Sequence, residues 1–432
     1  RPRSAELARS AGAHFPGGVP MHWMRDWPSP QPLYVQRAHD ALLTDVDGNE
    51  YVDFCLGDTG AMFGHSPPAI ARAIAEQATH GLTTMLPDAR IATVGERLSA
   101  LFGLPWWQLT QTATDANRAV LRHARMATGR PRALVFDRCY HGAVDETLVV
   151  MGKDGSTQPR PGQIGRIHDP GATTVVVEFN DIAAVEQALA RGDIACVLAE
   201  PVMTNAGMVL PQPGFLDALR HCCTRHDVLL AIDETHTLSS GPGGYARLHG
   251  LAADFIVCGK AIAGGLPCGI YGYSEAVARR LLAADAQRES GHSGIGTTLS
   301  GNPLAIAALG ASLAELHTPV TYRHMNERAA QLAAGIESAL QRHGVPWQVS
   351  RVGARLEFGP APAPRTGRQS VESIDAELEG ALHLYLLNRG FLLTPFHNMM
   401  LASPVTTESQ VDAFLVTFDT ALAEFAPMMR AA

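Results

Sequence analysis

Short apolar runs recur through the middle of the chain, at 133–136, 174–179, 195–199, 228–232, Phe255–Cys258 and 268–273, each bounded by glycine or polar residues. Continuous runs of that length predict strands buried on both faces of a sheet. Between them, segments such as ATVGERLSALFG and ANRAVLRHARMATG place apolar residues at the three- and four-residue spacing of an amphipathic helix. This alternation predicts βαβ units and a mainly parallel sheet.

The two flanks have a different texture. RPRSAELARSAGAHF predicts a polar helix, PGGVPMHWMRDWPSPQP an irregular loop, and ALLTDVDGNEYVDF a hairpin turning at Asp47-Gly48 or Gly48-Asn49. Ser66 suits an N-cap and Pro67 a first helical residue. Beyond Asn302-Pro303 the strands thin out to candidates at 347–349, 355–358 and 391–394, with APAPRTGRQS as a loop between helices. The expected division is an N-terminal segment 1–57 packing with the small domain, a large domain 58–305, and a C-terminal α+β domain 306–432.

Composition adds limits rather than a function. Hydrophobic residues at 46% and charged residues at 18% belong to a folded globular chain, not a disordered one. A net charge of -8 argues against nucleic acid or anionic membrane as partners and leaves small molecules. The seven cysteines form no CxxC pair and several fall in apolar runs, which suggests a reducing, cytoplasmic compartment. No window approaches the roughly 18 uncharged apolar residues of a membrane span, and the polar N-terminus lacks the apolar core of a secretory signal. No metal site is expected.

Chemistry gathers where the predicted strands stop. In open α/β sheets ligands bind outside the carboxyl ends of the strands. There the chain places Asp137, Arg138, Tyr140, His141 and Gly142, then Glu200-Pro201, then Asp233-Glu234, then Gly259-Lys260. TQTATDANRAVLRHAR sets Thr112, Ala113 and Thr114 at a helix start, where free N–H groups and the helix dipole either hold a phosphate or are simply capped by a threonine. No GxxxxGK[ST], GxGxxG, GxSxG or HExxH is present. Lys260, a lone charge amid apolar and glycine residues, is best read as a carbonyl-binding amine.

PGGV, DVDGNEYVDF, GHSPP, TATDANRAVLRHARMATGR, CYHG, AEPV, IDET, CGKAIAGGLPCG and TTLSGNPLA together resemble the class III pyridoxal-phosphate-dependent aminotransferases of fold type I. Within them the branch of glutamate-1-semialdehyde 2,1-aminomutase is most similar. The resemblance implies pyridoxal 5'-phosphate as cofactor and an α/β fold: a large domain with a mainly parallel mixed sheet flanked by helices, plus a smaller α+β domain. It implies Lys260 as Schiff-base lysine and proton-transfer base, and Asp233 as partner of the pyridine nitrogen. Thr112, Ala113 and Thr114 would form the phosphate turn, and Tyr140 and Thr235 would pack the two ring faces. His141, Glu200 and His236 would lie near the cofactor or substrate, and Thr298 would reach the cofactor phosphate of the neighbouring subunit in a homodimer.

The chain departs from the family's Ser-Gly-Thr-Glu with Thr112-Ala113-Thr114-Asp115, and from its Asp-Glu-Val with Asp233-Glu234-Thr235 followed by His236. His22, Trp23, Arg25 and Asp58 fall where the aminomutase has substrate-facing arginine and aromatic residues. Arg25, Trp23 and His22 are therefore the candidate substrate contacts, with Arg355 a further candidate carboxylate binder. The leading expectation is transfer of an amino group between an amino acid or amine and a 2-oxo acid or aldehyde in two half-reactions. The alternatives are an intramolecular aminomutase and a non-catalytic cofactor-binding protein.

Overall fold

Ile194–Ala199, Leu229–Asp233 and Phe255–Cys258 have no exposed position, and they lie side by side at the centre of a seven-stranded sheet. The computed structural model describes residues 1–165, 169–395 and 397–430. Its large sheet comprises β1 (Trp106–Thr110), β2 (Arg132–Phe136), β3 (Thr174–Val177), β4 (Ile194–Ala199), β5 (Leu229–Asp233), β6 (Phe255–Cys258) and β7 (Gly269–Tyr273), in the order β1-β7-β6-β5-β4-β2-β3. The pairs β6-β5, β5-β4, β4-β2 and β2-β3 are parallel, whereas β7 runs antiparallel to both its neighbours. The mainly parallel mixed sheet expected from the alternation is present.

Differences from the sequence expectation have local causes. The edge strand β1 was not anticipated; its residues alternate exposed and part-buried, so it lacks the continuous apolar run of the central strands. β3 stops at Val177, two residues short of the expected end, as the chain approaches a turn in which Asn180 has φ +68°. The helix after the GHSPP stretch begins at Pro68 rather than Pro67. Ser66 is left-handed at φ +51°, outside the extended conformation that an N-cap uses. APAPRTGRQS is not all loop, since a short helix, Gly367–Glu372, starts inside it.

The helix α1 (Ala113–Thr128) turns Ala116, Asn117, Ala119, Val120, Leu121 and Ala124 inward, where they join the core that buries the sheet. Thr112 caps its start by accepting from the Asp115 N–H, and left-handed Gly129 ends it at φ +68°.

Two compact units result. One comprises Pro68–Pro319 with Pro364–Glu372, and the other Arg1–Pro67, Val320–Ala363 and Ser373–Ala432. The sequence division had placed these boundaries near 57 and 305. The helix Pro303–Glu315 belongs to the larger unit because it packs on Pro68–Gln77 and Ile91–Phe102. The smaller unit holds a four-stranded sheet of Val35–His39, Leu42–Asp45, Glu50–Asp53 and Phe391–Leu392. It also holds an antiparallel three-stranded sheet of Trp347–Val352, Arg355–Pro360 and Met399–Leu401. Helices Ala376–Leu387 and Glu408–Met429 cover its core, in which Phe54, Phe358, Phe414 and Phe418 stack edge to face or in parallel. The expected hairpin is there, with Leu42 opposite Val52 and Thr44 opposite Glu50. Among the described residues no single helix is long and apolar enough to cross a membrane.

Candidate active site

Strand register brings the chemistry together. Asp233 pairs with Val257 across β5 and β6, and Ile232 pairs with Ala199 across β5 and β4. Glu200, Asp233 and Gly259-Lys260 therefore leave the same edge of the sheet from three neighbouring strands. β2 is parallel to β4 and feeds the turn that carries Tyr140 and His141 to that edge.

Asp233 is 3% exposed and its carboxylate is the centre of a donor network. His141 Nδ1 lies 3.0 Å from Oδ2, Asn117 Nδ2 donates to the same oxygen at 2.9 Å, and the Thr235 N–H donates to Oδ1 at 3.1 Å. Burial alone would raise this carboxyl; the donors led by His141 outweigh it and hold Asp233 at about 2. Burial disfavours a charged His141 in turn, yet the Cys139 sulfur and the Asp233 carboxylate beside it raise its imidazole above the usual range. Asn117 also donates to the His141 carbonyl at 3.0 Å, locking α1 to the turn after β2. The cluster presents a fixed, buried negative charge toward the strand ends.

Lys260 opens a single 3₁₀ turn, Lys260–Ala263, and sits at φ +48°, in the left-handed region that side chains with a Cβ adopt at a cost of roughly 1 kcal/mol or more. Its Nζ lies 2.7 Å from His236 Nε2. Gly259 before it must be glycine, because a Cβ there would come within 2.8 Å of the Ala113 Cβ. The lysine turn thus rests directly on the start of α1. Around that start, the Thr112 hydroxyl is engaged with the Asp115 carboxylate at 3.0 Å and the Thr114 hydroxyl accepts from the Ala143 N–H at 3.2 Å. The first N–H groups of a helix have no partner within it, so Ala113 and Thr114 offer an anion site beside the lysine.

Glu200 is buried at the end of β4, accepts from the Thr204 hydroxyl, and feels the charges of His141, Asp233 and Lys260. Burial pushes its carboxyl up to about 7. Tyr140 has the Arg160 guanidinium 5.8 Å from its ring centre.

A model of class-III aminotransferases matches residues 24–422. The chain belongs to the class-III aminotransferase family. It is accordingly an enzyme of a pyridoxal-phosphate-dependent family with fold type I. It is 35% identical to the glutamate-1-semialdehyde 2,1-aminomutase of Myxococcus xanthus over 91% of each chain. With the Anaeromyxobacter sp. enzyme of that name it shares 34% over 98% of each. A crystal structure of a glutamate-1-semialdehyde-aminomutase from Pseudomonas aeruginosa is 49% identical and superposes with a TM-score of 0.96, covering 98% of this chain and 95% of the other. An omega-transaminase from Sphaerobacter thermophilus is 28% identical with a TM-score of 0.89 over 98% of each chain.

The family's cofactor fits what the site offers. A buried carboxylate kept ionised at about 2 suits a protonated ring nitrogen, the α1 start suits a phosphate, and the Lys260 amine suits an aldehyde. Of the residues singled out from the sequence of this class-III chain, Asp233, Lys260, His141, Glu200, Thr235, His236 and Thr112–Thr114 converge at the strand ends. Thr298 stands exposed on the segment before the helix Pro303–Glu315, and its neighbour Thr297 donates to the Gln111 side chain at 3.0 Å, one residue before Thr112. His22, Trp23, Arg25 and Arg355 belong to the other unit, where Trp23 lines a cavity of about 540 Å³ with Trp27, Leu33, Cys55 and Asp58.

Two site residues escaped sequence reasoning. Asn117 is fully buried on the apolar face of α1, and Thr204 holds Glu200. An asparagine at a core position of an amphipathic helix is a readable signal for the first; the second depends on a turn that no periodicity marks.

Proposed function

We propose that this enzyme moves an amino group between two carbons of one substrate, as an aminomutase of the glutamate-1-semialdehyde type. What carries the chemistry is the register that sets Asp233 and Lys260 on adjacent strand ends; what favours the intramolecular outcome is the name shared by its relatives. Bound at this site, pyridoxal phosphate supplies an aldehyde and an electron-withdrawing ring that stabilises negative charge at the substrate carbon. In this reading Asp233 holds the proton on the ring nitrogen, with Asn117 and His141 keeping the carboxylate charged and oriented. The N–H groups at 113 and 114 bind the phosphate. The Lys260 amine would hold the cofactor through its aldehyde and would afterwards carry a proton to and from the substrate. Tyr140 and Thr235 would flank the ring, and Glu200 would act on the substrate side of the site.

Exchange between separate donor and acceptor, the expectation from sequence, is supported by the omega-transaminase likeness and by His22, Trp23 and Arg25 standing where the aminomutase pattern differs. Incubation of the holoenzyme with glutamate-1-semialdehyde or a related amino aldehyde alone separates the two. Turnover without added oxo acid is expected; strict dependence on pyruvate or 2-oxoglutarate overturns the intramolecular reading.

The active unit in this reading is a homodimer in which Thr298 reaches the partner's phosphate, consistent with its exposure. A cytoplasmic setting suits seven cysteines that are all unpaired and buried.

A further inference from the structure

Lys260 can attack a carbonyl only as the neutral amine, because an ammonium has three donors and no lone pair. Its proton must therefore move to a neighbour. Asp233 is a poor receiver, since its oxygens already accept from Asn117, His141 and the Thr235 N–H. Glu200, which feels the Lys260 charge, gives one oxygen to the Thr204 hydroxyl. His236, by contrast, sets a ring nitrogen 2.7 Å from Nζ. With the ring hydrogen on Nδ1, Nε2 offers its lone pair directly to an Nζ–H.

The imidazole is held in place by its loop. The buried Glu234 carboxylate accepts from the Thr237 hydroxyl, from the Tyr245 N–H at 2.9 Å and from the Ala246 N–H at 2.6 Å. The Ser239 hydroxyl donates to the His236 carbonyl at 2.9 Å. A general base needs this kind of fixed first contact.

We propose that His236 is a catalytic residue, the proton acceptor for Lys260: the Nζ–H bond breaks, an Nε2–H bond forms, and a neutral amine faces an imidazolium that later returns the proton. This rests on Lys260 being the amine that binds the cofactor aldehyde. It goes beyond a wall or hydrogen-bonding role for His236, which glutamine could also fill.

The chain has only two lysines, Lys153 and Lys260, and Lys153 is exposed. Amine labelling of the apoenzyme with acetic anhydride at neutral pH, read by peptide mass, therefore reports Lys260 with Lys153 as internal reference. His236→Gln is expected to slow Lys260 labelling and the rate of cofactor loading by tenfold or more while Lys153 is unchanged. Imidazole added to His236→Gly is expected to restore much of the loading rate. Equal Lys260 labelling in wild type and His236→Gln, with no imidazole rescue, overturns the proposal. That result leaves the reading of Lys260 standing if the wild-type holoenzyme still carries a hydride-reducible adduct on Lys260; absence of that adduct removes the reading itself.

Discussion

At the scale of single residues, the site works by setting one permanent charge. Asp233 is buried and yet held at about 2, because His141, Asn117 and the Thr235 N–H all donate to it. A carboxyl lowered in the folded state stabilises the fold above its unfolded value and loses that contribution as pH falls toward about 2. Asp233→Asn keeps the shape but removes the charge, and kcat is expected to drop by about 10²-fold or more in steady-state assays. Near-normal turnover would show that the ring nitrogen needs no charged partner here. Asn117→Ala removes one donor and leaves the His141 carbonyl bare; a loss of about 1–2 kcal/mol in denaturant unfolding is expected. The roles of Asp233 and Lys260 were suggested by two apolar runs that each end on an ionisable residue. Asn117 was less visible because its neighbours in the helix pattern look like ordinary core.

At the scale of elements, the site depends on how tightly the lysine turn lies on α1. Gly259→Ala would force a Cβ within 2.8 Å of the Ala113 Cβ and 3.0 Å of its backbone nitrogen. A destabilisation of about 1–3 kcal/mol is expected, with cofactor affinity weakened at least tenfold in equilibrium dialysis. Unchanged affinity would mean that the turn and the helix start are independent. In the smaller unit, burial pushes Glu379 up to about 7, while the Asn398 amide donates to it at 3.2 Å. An acid raised in the folded state stabilises below its unfolded value near 4.5 and loses that contribution as pH rises through about 7. Glu379→Gln is accordingly expected to flatten the fall in unfolding free energy between pH 5 and 8 by roughly 2 kcal/mol, read by denaturant unfolding. Identical pH profiles would place the alkaline loss elsewhere. Strands with unbroken apolar runs were legible in the sequence; β1 was not, because an edge strand needs only one buried side, and the left-handed Ser66 moved a helix start that Ser-Pro chemistry placed earlier.

At the scale of the whole molecule, the sequence alternation was enough to reach the mixed sheet, since strand and helix periods differ sharply and parallel strands must be buried. It could not show that the helix Pro303–Glu315 stays with the large unit, which is decided by packing against helices more than 200 residues earlier in the chain. The substrate preference was the least legible, because the candidate contacts His22, Trp23, Arg25 and Asp58 lie in stretches whose local sequence carries no periodic signal. The central claim, that Lys260 is the amine on which the chemistry turns, is tested most directly by reducing the holoenzyme with borohydride and mapping the pyridoxyl group by peptide mass. With only two lysines in the chain, the answer is unambiguous. The group is expected on Lys260 and absent from the Lys260→Ala variant; a pyridoxyl group on Lys153, or a reducible adduct that survives Lys260→Ala, would contradict the account.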